Sequence, residues 1–366
     1  MAMAMSRALT WGCSWRRGAD SMRNEGVTFG LAVMITALAS AQDLSQPGSL
    51  QASRRDVTVV RASGSGFLAT VHYPATSNAI GSPVDSSNGP YPIVAFGHGF
   101  LSSVTLYQST AAHLATWGFI VILPQTQGSL IPSHSALAAD MISSLDWLAA
   151  EGADAASPWA GAVSSDRRGA AGHSMGGGCA VLAAQQDPRI HALVPMAAAD
   201  TNPSSVAAAA SVRCATRLIV GSQDTIVPPS TDVPMYANVQ GPAQFVSITG
   251  GFHCGFIDSA IPFCDSGSIT RAQQLATVRR EMTEFLLLYL KGDGSQWNAV
   301  WGTPPADAGI VQQSRQTPDL NGNGRVDGED LGILLAAWGQ AGRGDLDGNG
   351  TVDGADLGLF LAAWRP

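Results

Sequence analysis

From residue 56 onward, short apolar runs alternate with longer stretches in which apolar positions recur every three or four residues. The first pattern predicts strands and the second helices. On that reading strands cover 57–60, 67–73, 91–97, 119–124, 168–172, 192–196, 217–221 and 244–249, and helices cover 108–117, 136–149, 177–186 and 271–290. Runs such as Ile93-Val94-Ala95-Phe96 and Ile120-Val121-Ile122-Leu123 have no polar face, so they belong in a sheet covered on both sides. Strands alternating with helices then predict an α/β fold with a mainly parallel sheet.

The periodicity fails between 302 and 318, a stretch punctuated by Gly and Pro that reads as a linker. Beyond it, Asp-Leu-Asn-Gly-Asn-Gly-Arg-Val-Asp-Gly-Glu-Asp from Asp319 recurs 26 residues later as Asp-Leu-Asp-Gly-Asn-Gly-Thr-Val-Asp-Gly-Ala-Asp from Asp345, and each copy runs into Leu-Gly-x-x-Leu-Ala-Ala-Trp. At the other end, Arg23 precedes a largely apolar stretch over 29–38 and the small-residue site Ala39-Ser40-Ala41, the layout of an export signal cleaved before Gln42. Met22 is an alternative start, since 1–21 fit no signal n-region well. That apolar run is shorter than the roughly 20 residues a spanning helix needs, so no membrane span is expected in the mature chain. The expected organisation is a signal region at 1–41, an α/β domain at 42–301, a linker at 302–318 and a duplicated module at 319–366.

With 366 residues, 45% of them hydrophobic, the chain can build a sizeable core. Its net charge is −8, and residues 319–366 alone carry −5 of it. No basic stripe is present, which argues against a phosphate-backbone partner. A secreted chain would keep four cysteines, Cys179, Cys214, Cys254 and Cys264, in an oxidising compartment, and three pairings are open to them. Cys254 and Cys264 share a short segment rich in chain breakers, which favours a local bridge; four buried free thiols are the alternative.

The chemistry concentrates at Gly172-His173-Ser174-Met175-Gly176, a G-x-S-x-G sequence between a strand and a helix. Such a turn lifts the serine hydroxyl clear of the sheet and points the new helix's N-terminal amides at a developing oxyanion. A hydroxyl needs a base, and the base an orienting carboxylate, in the chain order Ser, acid, His. Asp224 lies just past a strand end, and His253 follows the next strand; of the seven histidines it alone comes after the acid. Asp200 and Asp258 are weaker acid candidates, better suited to caps or turns. Phe96-Gly97-His98-Gly99-Phe100 follows the earlier central strand, so the backbone N–H groups of Phe100 and Met175 are the expected oxyanion donors, with His98 shaping the loop.

Residues from about 56 to 300 resemble the α/β-hydrolase superfamily, in the branch of bacterial cutinases, PET hydrolases, chlorophyllases and dienelactone hydrolase-like esterases. The resemblance rests on Gly-His-Ser-Met-Gly-Gly-Gly at 172–178, on Asp224-Thr225-Ile226-Val227-Pro228, and on the strand-helix-strand piece from Gly97 through Leu123. It implies Ser174 as nucleophile, Asp224 as acid, His253 as base, and Phe100 as both oxyanion donor and aromatic wall of the acyl cleft. Cutinase-like members carry a tryptophan after the strand that here ends Val194-Pro195-Met196, where this chain continues Ala197-Ala198-Ala199. The implied activity is a secreted serine carboxylic-ester hydrolase, cutinase- or polyesterase-like, working through an acyl-enzyme with no catalytic cofactor. The alternatives are a dienelactone hydrolase- or lipase-like esterase of small soluble esters, and a non-catalytic, scaffold-associated binding protein on the same fold.

In the tail, oxygen-bearing residues at loop positions 1, 3, 5 and 12 with Gly at 6 are the alternation that lets ligands converge on Ca²⁺. The first loop would use Asp319, Asn321, Asn323, the Arg325 carbonyl and Asp330, with Asp327 ninth. The second would use Asp345, Asp347, Asn349, the Thr351 carbonyl and Asp356, with Asp353 ninth, so two ions are expected. Loop-helix duplication with Asp at position 12 resembles type I dockerin modules, which implies a cohesin-type scaffold partner. Leu331, Leu334, Leu335 and Trp338, matched by Leu357, Phe360, Leu361 and Trp364, are expected to form a mutual core between the two helices.

Overall fold

A computed structural model describes residues 42–321 and 325–364. The signal-like segment 1–41 and the loop residue Asn323 lie outside the described residues. Among those described, nine strands form one sheet in the order β1-β2-β4-β3-β5-β6-β7-β8-β9. They are β1 (Ala52–Val60), β2 (Gly66–Pro74), β3 (Tyr91–Gly97), β4 (Ile120–Pro124), β5 (Val163–His173), β6 (Ile190–Met196), β7 (Ala215–Gly221), β8 (Ala243–Ile248) and β9 (Ile310–Arg315). From β4 through β8 the neighbours run parallel; β1, β2 and β9 close the edges antiparallel.

The continuous apolar strands divide their side chains between two cores. Ile93 and Ala95 of β3 face one layer while Val94 and Phe96 face the other. Helices α2 (His134–Ala153), α3 (Met175–Gln186) and α5 (Pro229–Asn238) contribute to the first, and α1 (Gln108–Thr116), α6 (Arg271–Lys291) and α7 (Trp297–Trp301) to the second. The short α4 (Ser205–Ala208) follows β6. This is the doubly covered, mostly parallel sheet expected of an α/β-hydrolase fold.

Two differences from the sequence reading concern polar segments. The stretch expected as a linker contains β9, whose six residues pair with β8 from Ile248↔Ile310 to Ala243↔Arg315. Only one of its faces is partly covered, so Gln312, Gln313 and Ser314 are tolerated in an edge strand. Helix α5 is not among the expected helices; Pro229 stands at its first position, where the missing N–H costs nothing, and Pro234 lies inside it.

In the tail, α8 (Gly328–Ala336) and α9 (Gly354–Ala362) each follow one acidic loop, and Leu334, Val352 and Phe360 are buried against Leu320. The expected mutual core needs correction in part. Leu331, Leu357 and Trp364 pack onto it, but Leu335, Trp338 and Leu361 are about half exposed. Helices this short bury only one narrow stripe, and these three positions fall outside it.

Candidate active site

Gly172 and Gly176 explain why the turn at Ser174 has the sequence it has. A Cβ on Gly172 would lie 2.3 Å from the Gly176 carbonyl oxygen, and one on Gly176 would lie 2.1 Å from the Gly97 oxygen. Only glycines allow β3, β5 and α3 to approach this closely. Ser174 itself sits at φ 57° and ψ −122°, a conformation that L residues rarely adopt and that persists only when its surroundings impose it. Its N–H donates to the Met196 carbonyl (2.9 Å), and its own carbonyl accepts from Gly178 and Ala199. Met175 is the first residue of α3, so its N–H has no intrahelical acceptor. The Gly97–Gly176 contact holds the loop bearing Phe100 against the turn bearing Met175.

That loop is braced from beneath. The His98 ring nitrogens lie 2.8 Å from the Gly99 carbonyl and 2.7 Å from the Thr126 carbonyl. The Tyr107 hydroxyl accepts from the Gly99 N–H (2.9 Å) and lies 3.0 Å from His173 Nδ1. His173 packs beside the turn with its ring 4.5 Å from that of His253. Burial, with the neighbouring imidazole second, holds its pKa well below the usual histidine range, so it is a neutral packing residue.

Asp224 and His253 lie past the ends of β7 and β8. The Asp224 Oδ1 accepts from the N–H groups of Ile226 (2.9 Å) and Val227 (2.7 Å). Its Oδ2 is left to accept from His253 Nδ1 at 2.7 Å, with both side chains buried. Proton donation from Nδ1 leaves Nε2 with its lone pair, the tautomer a general base requires. Ser174 and His253 line the same cleft, of about 470 Å³, together with Phe100, Leu101, Ile226 and Phe263. Asp200 and Asp258 act as structural acceptors instead: Asp200 takes the Val206 N–H and two serine hydroxyls, and Asp258 takes the Ser109 N–H at the start of α1.

Cys254 and Cys264 form a disulfide, and Cys179 and Cys214 are free and buried. Burial pushes both free thiols up to about 12, so they are inert packing groups. Sequence reasoning missed two side chains that hold the His253 loop. Gln274 of α6 accepts from the Phe252 N–H (2.9 Å) and donates to its carbonyl (2.8 Å), while the Asp265 carboxylate accepts from the His253 and Cys254 N–H groups. Contacts across 22 and 12 residues leave no local signal.

In the second tail loop, Asp345, Asp347 and Asp356 bring one carboxylate oxygen each within 4.8 Å of one another. Asp356 also accepts from the N–H groups of Leu346, Asp347 and Asp353, drawing the loop around itself. Asp345 Oδ2 accepts from Gly350 N–H, and its buried Oδ1 makes no hydrogen bond within the protein. In the first loop Asp330 accepts from Asn321 and Asp327, repeating the arrangement around the corresponding Asp356. The carboxylate-rich donor set suits a hard cation such as Ca²⁺.

A strand-turn-helix serine at the end of β5 in a mostly parallel sheet, with an acid and a histidine past the ends of β7 and β8, fits the α/β-hydrolase fold. Residues 45–265 match the family model described as PETase, PET hydrolase-like, and the chain belongs to that family. It is 28% identical over 223 residues to Lipase 1 of Moraxella sp. (strain TA144), covering 60% of this chain and 62% of the lipase. It is 33% identical over 118 residues to the bis(hydroxyethyl) terephthalate hydrolase of Streptomyces coelicolor, covering 31% and 35%. With Cutinase 2 of Thermobifida cellulosilytica the figures are 28% over 169 residues, covering 46% and 57%. The chain thus spans less than two thirds of each of these relatives. Among the described residues no helix is long and apolar enough to cross a membrane.

Proposed function

We propose that the protein is a secreted serine carboxylic-ester hydrolase that acts on esters with an apolar acyl group. The observation that carries this reading is the buried 2.7 Å bond from His253 Nδ1 to Asp224, at the wall of the cleft that Ser174 lines from its strained turn. Ser174 Oγ attacks the ester carbonyl carbon while His253 Nε2 accepts its proton, and Asp224 steadies the resulting imidazolium. The Phe100 and Met175 N–H groups receive the developing oxyanion. His253 returns the proton to the leaving alkoxide, and water, activated by the same imidazole, releases the acid from the acyl-enzyme.

The cleft walls argue for the acyl preference. Phe100, Leu101, Ile226, Ile257, Ile261 and Phe263 surround the serine with hydrocarbon. The Ala197-Ala198-Ala199 run supplies no aromatic plate after β6, which favours small esters over polyester; the relatives named as cutinase and terephthalate-ester hydrolase keep polymer cleavage as the second reading. The duplicated tail loops are proposed to hold two Ca²⁺ ions, and the outward Leu335, Trp338 and Leu361 offer an apolar surface to a cohesin-type scaffold. Hydrolysis of p-nitrophenyl butyrate by the wild type but not by Ser174→Ala is the expected result; equal rates would end the reading.

A further inference from the structure

We propose that Asp265 is a positioning residue that fixes the spacing between the loop of the acid and the loop of the base, an inference that rests on the triad reading above. One oxygen of its carboxylate, Oδ2, accepts from both the Thr225 N–H (3.2 Å) and the His253 N–H (2.8 Å). Thr225 directly follows Asp224, so the two triad residues are joined twice: through their side chains at 2.7 Å, and through this shared oxygen one peptide unit away. The other oxygen, Oδ1, accepts from the Cys254 N–H at 3.0 Å. A carboxylate bonded to three N–H groups is a strong acceptor, because each bond is charge-assisted.

A turn aspartate normally caps its own segment. Asp265 instead reaches 40, 12 and 11 residues back along the chain, to two other loops. Its backbone is anchored for the task, since the adjacent Cys264 is bridged to Cys254, the residue after His253. It is not the sole tie between these loops. The same loops are also joined by Gln223 N–H to the Gly251 carbonyl (2.8 Å) and by Gly250 N–H to Ser222 Oγ (2.8 Å), and Gln274 holds Phe252. Losing the carboxylate therefore loosens the distal parts of the loops, where the side chains of Asp224 and His253 emerge.

The test compares full-length wild type, Asp265→Ala and Asp265→Asn, with concentrations corrected by active-site titration with a fluorophosphonate. Misplacing a catalytic group by about 1 Å can cost about 10²-fold, so kcat for p-nitrophenyl butyrate per titrated site should fall about 10- to 100-fold in Asp265→Ala, with KM unchanged. Asp265→Asn keeps one acceptor oxygen and should fall between the two. The second-order rate of phosphonylation should drop in parallel, and the Thr225 and His253 amides should exchange faster. A kcat per titrated site equal to wild type in both variants overturns the inference while leaving the hydrolase reading intact. So does a loss that appears only as fewer titratable sites. A wild type that neither hydrolyses nor labels overturns both.

Discussion

Gly176→Ala should disable the protein through one carbon atom. The added Cβ would lie 2.1 Å from the Gly97 carbonyl oxygen and 2.6 Å from that of His98. Ordinary contact needs more than 3 Å, so the two backbones must part by about 1 Å, and neither is a flexible side chain that can swing away. Overpacking of this kind costs about 1–3 kcal/mol. The displaced segment leads directly to Phe100, one of the two candidate oxyanion donors, and a shift of about 1 Å in a positioning element can cost about 10²-fold in rate. Gly177→Ala is the matched control. Its Cβ would meet the Ala198 Cα and Cβ at 3.1 Å and the Gly172 carbonyl oxygen at 3.2 Å, conflicts relieved by a few tenths of an ångström. Alanine also gains about 1 kcal/mol of helix propensity over glycine there. Urea denaturation with p-nitrophenyl butyrate kinetics should show Gly176→Ala losing both stability and kcat, and Gly177→Ala close to wild type. A fully active, fully stable Gly176→Ala would refute the account of the turn.

Three further outcomes are expected. Ca²⁺ should raise the melting temperature of the tail relative to EGTA, by the equivalent of about 2.7 kcal/mol at a hundredfold excess over Kd; Asp345→Ala, which removes the unpartnered buried oxygen, should shrink that rise, and an unchanged response to Ca²⁺ would defeat the metal proposal. Arg217 is fully buried and bonds Gln244, Glu281, Glu284 and the Val300 carbonyl, so Arg217→Leu leaves the buried Glu284 carboxylate without its cation and Glu281 with Arg280 alone, and should cost about 3–5 kcal/mol in urea unfolding. Burial holds His72 down to about 4, below the 6.5 of an exposed imidazole, so the unfolded chain takes up that proton first on acidification. Its contribution is full above 6.5 and is lost as pH falls toward 4; His72→Phe should therefore lose less stability than wild type between pH 7 and pH 5, and an identical pH slope would contradict the assignment.

The parallel sheet was legible because its central strands are apolar on both faces, as at Ile93–Phe96 and Ile120–Leu123. The candidate residues Ser174, Asp224 and His253 could be picked out because each follows a strand end, in an order that leaves one histidine downstream of the acid. What stayed hidden lacks local pattern. β9 is polar and stands among Pro and Gly, and its partner β8 ends more than 60 residues earlier. Arg217 looks like the polar start of a strand until α6 brings Glu281 and Glu284 across to it. Asp265 reads as a turn residue in a Ser- and Gly-rich loop, and its role exists only after the Thr225 and His253 loops converge. In the tail the apolar repeat marked the helices correctly, but helices of nine residues cannot bury every apolar position, as the outward Trp338 shows.

The central claim is that one serine hydroxyl becomes nucleophilic because His253, oriented by Asp224, accepts its proton. Peptide mass mapping after fluorophosphonate treatment of the native protein tests it most directly. A single phosphonyl adduct on Ser174, abolished by prior unfolding and greatly slowed in His253→Ala, is the predicted result. A native protein that acquires no adduct at Ser174, or acquires it equally fast without His253, would contradict it.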